Sequence, residues 1–143
     1  MNSDTVKLLR ECNLGCKYAV CEMEQVLTFV KNSSLKNSIE INSLKQTELG
    51  ENCALLLKDS GKSEREVAPI VIMATRIKND IKLSLSSNPR TVATIMVKSC
   101  ESGTKSVCDA LGNCPKADGQ SVEMAKNIIK VWHDFLKEMI EYY

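Results

Sequence analysis

The sequence predicts an all-α fold, an up-down helical bundle of four long helices plus a shorter crossover helix, in one domain over residues 1–143. Three observations lead there. Apolar residues recur at helical period along nearly the whole chain, and turn and cap residues cut it into five segments. Strand alternation is missing, apart from the β-branched "IVIMAT" at 70–75, whose flanks keep the helical period.

In the first segment, with Ser3 or Asp4 as N-cap, Val6, Leu9, Asn13, Cys16, Val20, Met23, Leu27 and Val30 form a heptad seam ended by "KNSS". The second starts after Ser33 or Ser34 and runs to Ser60, with Gly61 placed to close it as a C′ residue. Its stripe is Leu35, Ile39, Asn42, Gln46, Leu49, Cys53 and Leu56. The third, from about Glu64, carries Val67, Ile70, Ala74, Ile77, Ile81 and Leu85 and stops at "SSNP". Asn88 and Pro89 read as N-cap and N1 of the fourth, whose inward residues are Val92, Met96, Cys100, Gly103, Val107, Leu111 and Cys114. The fifth places Val122, Ala125, Ile129, Trp132, Leu136, Met139 and Tyr143 inward. At about 1.5 Å per residue, segments one, two, four and five can each span one bundle, which leaves the third as the connection.

A weak repeat fits two hairpins joined by a crossover. "LLRECNLGCKYAV" at 8–20 and "MVKSCESGTKSVC" at 96–108 share C-x-x-G-x-K, at an offset of 88 (100 − 12). The same offset pairs Ile41 with Ile129 and Leu44 with Trp132. Gly15 and Gly103 each cost about 1 kcal/mol relative to Ala inside a helix, so close helix approach is expected at both.

Charge and composition exclude whole classes of function. With 19 basic and 18 acidic residues the net charge is +1, and no basic run concentrates it, so neither nucleic acid nor a membrane surface is an expected partner. No apolar stretch is long enough to span a bilayer and no leader pattern opens the chain, so a cytoplasmic protein is expected. Seven cysteines, an odd count, are expected as reduced thiols. Aromatic content of 4% argues against stacked bases or flat cofactors. "DSGKSE" at 59–64 lacks the first glycine and the preceding strand of a phosphate-binding loop, and reads as a helix-helix connection.

The carboxylates Glu11, Glu22, Glu24, Glu40, Glu48, Glu51, Glu101, Glu123, Glu138 and Glu141 lie off the seams, and no Glu-x-x-His occurs, so a di-iron site is not expected. Cys12, Cys16, Cys53, Cys100 and Cys114 lie inward, whereas Cys21 and Cys108 point away. Cys12 and Cys16, one turn apart, with Cys100 as third candidate, are the residues that could hold Cu(I) or Zn; the competing reading packs them as small hydrophobes with no cofactor. His133, the only histidine, reads as a structural or surface residue. Asn13, Asn42 and Gln46 are inward amides, costly to bury unless paired. They form either a network fixing register or a small polar pocket. Ile41, Leu44 and Leu55 make a second apolar patch on the second segment, to be covered by the third segment, by a second copy in a homo-oligomer, or by another protein partner.

"KLLRECNLG", "LKNSIEINSLKQTELG" and "CESGTKSV" resemble a family of small bacterial ferritin-like helical bundles without an assigned biochemical activity, and the similarity runs along nearly the whole chain. The resemblance implies a ferritin-like bundle. Ferritin-like relatives carry His and Glu on the second and last main helices, where this chain has Gln46 and the "VWHDF" around Trp132 and His133. The implied role is therefore a binding, interaction or self-associating module rather than an iron enzyme, with soft-metal binding or thiol redox chemistry as the alternative.

Overall fold

The structure, a computed structural model, describes residues 1–65, 78 and 88–143. Within them lie four α-helices and no strand: α1 (Ser3–Leu27), α2 (Ser33–Asp59), α3 (Pro89–Asn113) and α4 (Gly119–Ile140). These are the first, second, fourth and fifth predicted segments. The third, with its stripe from Val67 to Leu85 and the "IVIMAT" cluster, lies outside the described residues. None of the four helices is long and apolar enough to cross a membrane.

Each helix opens on an Asx cap. The side chains of Asn2, Asn32, Asn88 and Asp118 accept the backbone N–H of Thr5, Leu35, Thr91 and Ser121, at 2.8, 2.9, 2.9 and 2.8 Å. The first two caps therefore stand one or two residues ahead of the expected Ser3 or Asp4 and Ser33 or Ser34; Asn competes almost equally with Ser and Asp for that position, and here the asparagines take it. Helix α2 closes as expected at Gly61, whose φ is +69°. Gly61 N–H donates to Lys58 O and Lys62 N–H to Leu57 O, the paired bonds of a Schellman turn.

Bonds between helix ends fix the chain directions. Asn2 Nδ2 donates to Lys116 O, Lys116 N–H to Asp4 Oδ2 and Asp118 N–H to Thr5 Oγ1, which joins the start of α1 to the α3–α4 turn. Ser34 Oγ and Tyr142 Oη, 2.8 Å apart, join the start of α2 to the end of α4. Helix α1 thus runs antiparallel to α2 and α3 and parallel to α4, and α2 and α3 run the same way. Because α1 packs against all three other helices, it buries more than a seam. Leu8, Ala19 and Val26 join the core beside the expected Leu9, Cys12, Cys16 and Met23.

On α4 the buried face is Ala125, Ile128, Trp132, Phe135 and Met139. Tyr143, expected inward, is exposed beyond the helix end. The expected pairing of Leu44 with Trp132 fails as well, because Leu44 is exposed and Trp132 buried. The helix starts give the actual recurrence: 3 and 89, 33 and 119, both 86 apart. Shifted by 86, the buried α2 residues Leu35, Ile39, Asn42, Gln46, Leu49 and Cys53 fall on Ser121, Ala125, Ile128, Trp132, Phe135 and Met139, all buried. Gln46, not Leu44, is the counterpart of Trp132.

The close approach expected at the two glycines is present. An added Cβ on Gly15 would lie 2.9 Å from Trp132 Cη2, and one on Gly103 would lie 3.0 Å from the same atom. The benzo edge of the indole is wedged between α1 and α3.

Candidate functional site

The inward amides lie where α1 meets α2, and the reason is local. Gly50 on α2 has no side chain, so Cys16 of α1 comes close; a Cβ there would stand 3.2 Å from Cys16 Cβ. That approach brings Asn13 Nδ2 within 2.9 Å of the Gly50 carbonyl, to which it donates. One turn back, Gln46 Nε2 donates to Asn42 Oδ1 at 3.4 Å. Asn13 is 1% and Gln46 0% exposed, yet Asn13 Oδ1 and Gln46 Oε1 have no hydrogen-bond partner among the described residues. The other two such buried atoms are Gln25 Oε1 and Trp132 Nε1.

Asn13 and Gln46 line one pocket of about 390 Å³. Its walls are apolar, from Cys16, Val20 and Ala54, and its rim carries Lys17, Glu51 and Glu64. Of the three inward amides, Asn42 supports Gln46 from behind and does not line the pocket. Glu64 belongs to the stretch after α2, which runs back along α1: Arg10 Nε donates to Ser63 O at 2.7 Å, Arg65 pairs with Glu11, and Lys17 Nζ sits 2.9 Å from Glu64 Oε1. The Lys17 ammonium holds the Glu64 carboxyl below its ordinary range, with the Asn13 side chain adding to the effect against partial desolvation. Glu64 is the site residue that helix periodicity missed, because it lies in a loop whose return across α1 leaves no periodic trace.

The thiols sort differently from the expected set. Cys12 and Cys16 are brought together with Cys53 of α2, not with Cys100. A hydrogen bond with Cys53, then burial, pushes the Cys12 thiol far up; burial does the same to Cys16. Cys100 stands apart on α3, its thiol pushed up to about 12 by burial and by the Glu22 and Glu101 charges. Such thiols stay protonated at neutral pH, and no group of three or more His, Cys, Asp or Glu among the described residues is arranged to hold a metal ion. No disulfide joins any of the seven cysteines.

The patch residues lie on the outer side of α2: Ile41 is 46%, Leu44 73% and Leu55 55% exposed. At about 100° per residue, Glu48 and Glu51 fall on that same side, so the apolar stripe is broken by two carboxylates. His133 is exposed on α4.

No protein-family model, curated protein or solved structure matches the chain.

Proposed function

We propose that the chain is a ferritin-like bundle lacking a di-iron ligand set, that it works as a cytoplasmic binding module rather than an enzyme, and that its ligand enters the α1–α2 pocket. The chain directions support the ferritin-like reading: two antiparallel hairpins whose inner ends require a long connection between the parallel helices α2 and α3. One observation carries the binding reading. Asn13 and Gln46, which line the same apolar-walled pocket, each carry a buried amide oxygen without a partner among the described residues, and leaving each unpaired costs about 1–3 kcal/mol. A ligand that satisfies them regains that cost. In a thermal-shift screen of small amphipathic compounds, hits raise the melting temperature of the wild type and not of Ala54→Phe, whose added ring fills the pocket. If no compound stabilises the wild type, or if hits stabilise both proteins equally, the reading is wrong.

A second reading, self-association through α2, draws on the exposure of Leu44 between Ile41 and Leu55. It predicts that the mass measured by light scattering falls in Leu44→Glu. Equal masses for the two folded proteins would remove it. Soft-metal or thiol redox chemistry at Cys12, Cys16 and Cys53 has less support, since burial favours the neutral thiols.

A further inference from the structure

Among the described residues that line the α1–α2 pocket, the buried side-chain polar atoms left without a partner are both acceptors, Asn13 Oδ1 and Gln46 Oε1. Asn13 Nδ2 is committed to the Gly50 carbonyl, which fixes the amide so that Oδ1 is the unpaired atom. Gln46 Nε2 donates one N–H to Asn42 Oδ1, which leaves Oε1 unpaired, and the Thr47 hydroxyl donates to Ser43 O at 2.9 Å. Lys17, the one cation among the described rim residues, pairs with Glu64. Glu51 has no ion-pair partner among the described residues, and the charged groups among the described rim residues sum to one negative charge: Glu51 and Glu64 against Lys17.

This inventory discriminates between ligands. An alcohol or a carboxamide would bring its own acceptor oxygen to a site whose two unpaired buried atoms are themselves acceptors, and a carboxylate would also meet negative charge. A primary ammonium has three donors and no acceptor. We infer that the pocket takes a small primary amine, bound as its ammonium ion, with N–H groups donating to Asn13 Oδ1 and Gln46 Oε1 and a short hydrocarbon body lying on Cys16, Val20 and Ala54. The rim carboxylate of Glu51 supplies the field that compensates the head group's lost hydration. A volume of about 390 Å³ lies at the low end for ligand pockets, which limits the body to a few carbons. This inference rests on the binding reading above and narrows it to one ligand class.

Calorimetric titration at neutral pH with four probes of similar size separates the two claims. Butylammonium binds, 1-butanol and butyltrimethylammonium bind at least about tenfold more weakly, the first lacking charge and the second lacking N–H donors, and butyrate does not bind. Asn13→Leu loses about tenfold or more for butylammonium; should that core variant not fold, the surface variant Glu51→Gln tests the same point with a loss of about two- to fivefold that shrinks in high salt. If 1-butanol, butyltrimethylammonium or butyrate binds as tightly as butylammonium and Ala54→Phe abolishes that binding, the amine inference falls and the pocket reading stands. If no probe binds, or if binding is unchanged in Ala54→Phe, the pocket reading falls with it.

Discussion

Trp132, the only tryptophan, is held by its benzo edge between two glycines, and side-chain volume at those glycines sets how close α1 and α3 can come. Alanine at either site gains about 1 kcal/mol of helix propensity but forces a contact near 3 Å onto a ring that cannot yield, which costs about 1–3 kcal/mol. Gly15→Ala and Gly103→Ala should therefore lower the urea midpoint, while Gly112→Ala, whose Cβ would meet nothing within 4 Å, should not. A raised midpoint for either core variant would contradict the wedge. The buried thiols make a second prediction. The ordinary thiol value is 9.0 and that of folded Cys100 is about 12, so the unfolded chain loses its proton first. Stability is complete below pH 9.0 and falls as pH rises toward 12, by at most about 1.4 kcal/mol per pH unit per thiol. In urea unfolding between pH 8 and pH 10.5, Cys100→Ala should lose less stability than the wild type; an equal loss would contradict the assignment. At this scale heptad position made Asn13, Asn42 and Gln46 legible as inward amides. It left Cys53 unpaired with Cys12, because which residues meet across two helices depends on their axial register, and one chain's periodicity does not contain that register.

At the scale of the elements, the caps at positions 2, 32, 88 and 118 repeat one hairpin plan at 86 residues, while the C-x-x-G-x-K stretch repeats at 88. A difference of two residues turns a helix face by about 200°, enough to put an exposed residue where a buried one belongs. That is why the motif offset misplaced Leu44 against Trp132 while cap spacing aligns Gln46 with it. The caps themselves are testable: Asn32→Ala and Asp118→Ala should each cost about 1 kcal/mol in chemical unfolding, and no loss in either would contradict the capping bonds. The same alignment says why a polar pocket exists in one half of the molecule. Where α4 fills the core with Trp132, α2 has the smaller Gln46, supported by Asn42. Replacing both amides with leucine removes a buried acceptor along with its partner, so the Asn42→Leu/Gln46→Leu double variant should be no less stable than wild type, within about 1 kcal/mol, and should bind no amine. A large loss of stability would make the amides structural rather than functional.

For the whole molecule, fold class and helix boundaries were readable because amphipathic period, Asx or Ser caps and Gly61 all act locally in sequence. The pocket was only half readable. Its amides announced themselves as polar residues on a seam, but its rim depends on the chain after α2 doubling back so that Arg10, Glu11 and Lys17 meet Ser63, Arg65 and Glu64. Those contacts span about fifty residues and carry no periodic signal. The near-zero net charge gives no strong global field, and the charges on the described residues around the pocket sum to one negative charge.

The most direct measurement is a two-dimensional ¹H–¹⁵N spectrum of the side-chain amides during titration with butylammonium. The account predicts that the Asn13 Nδ2 and Gln46 Nε2 signals move together and saturably, while that of exposed Asn127 on α4 stays still. Signals from Asn13 and Gln46 that remain fixed through the titration would contradict it.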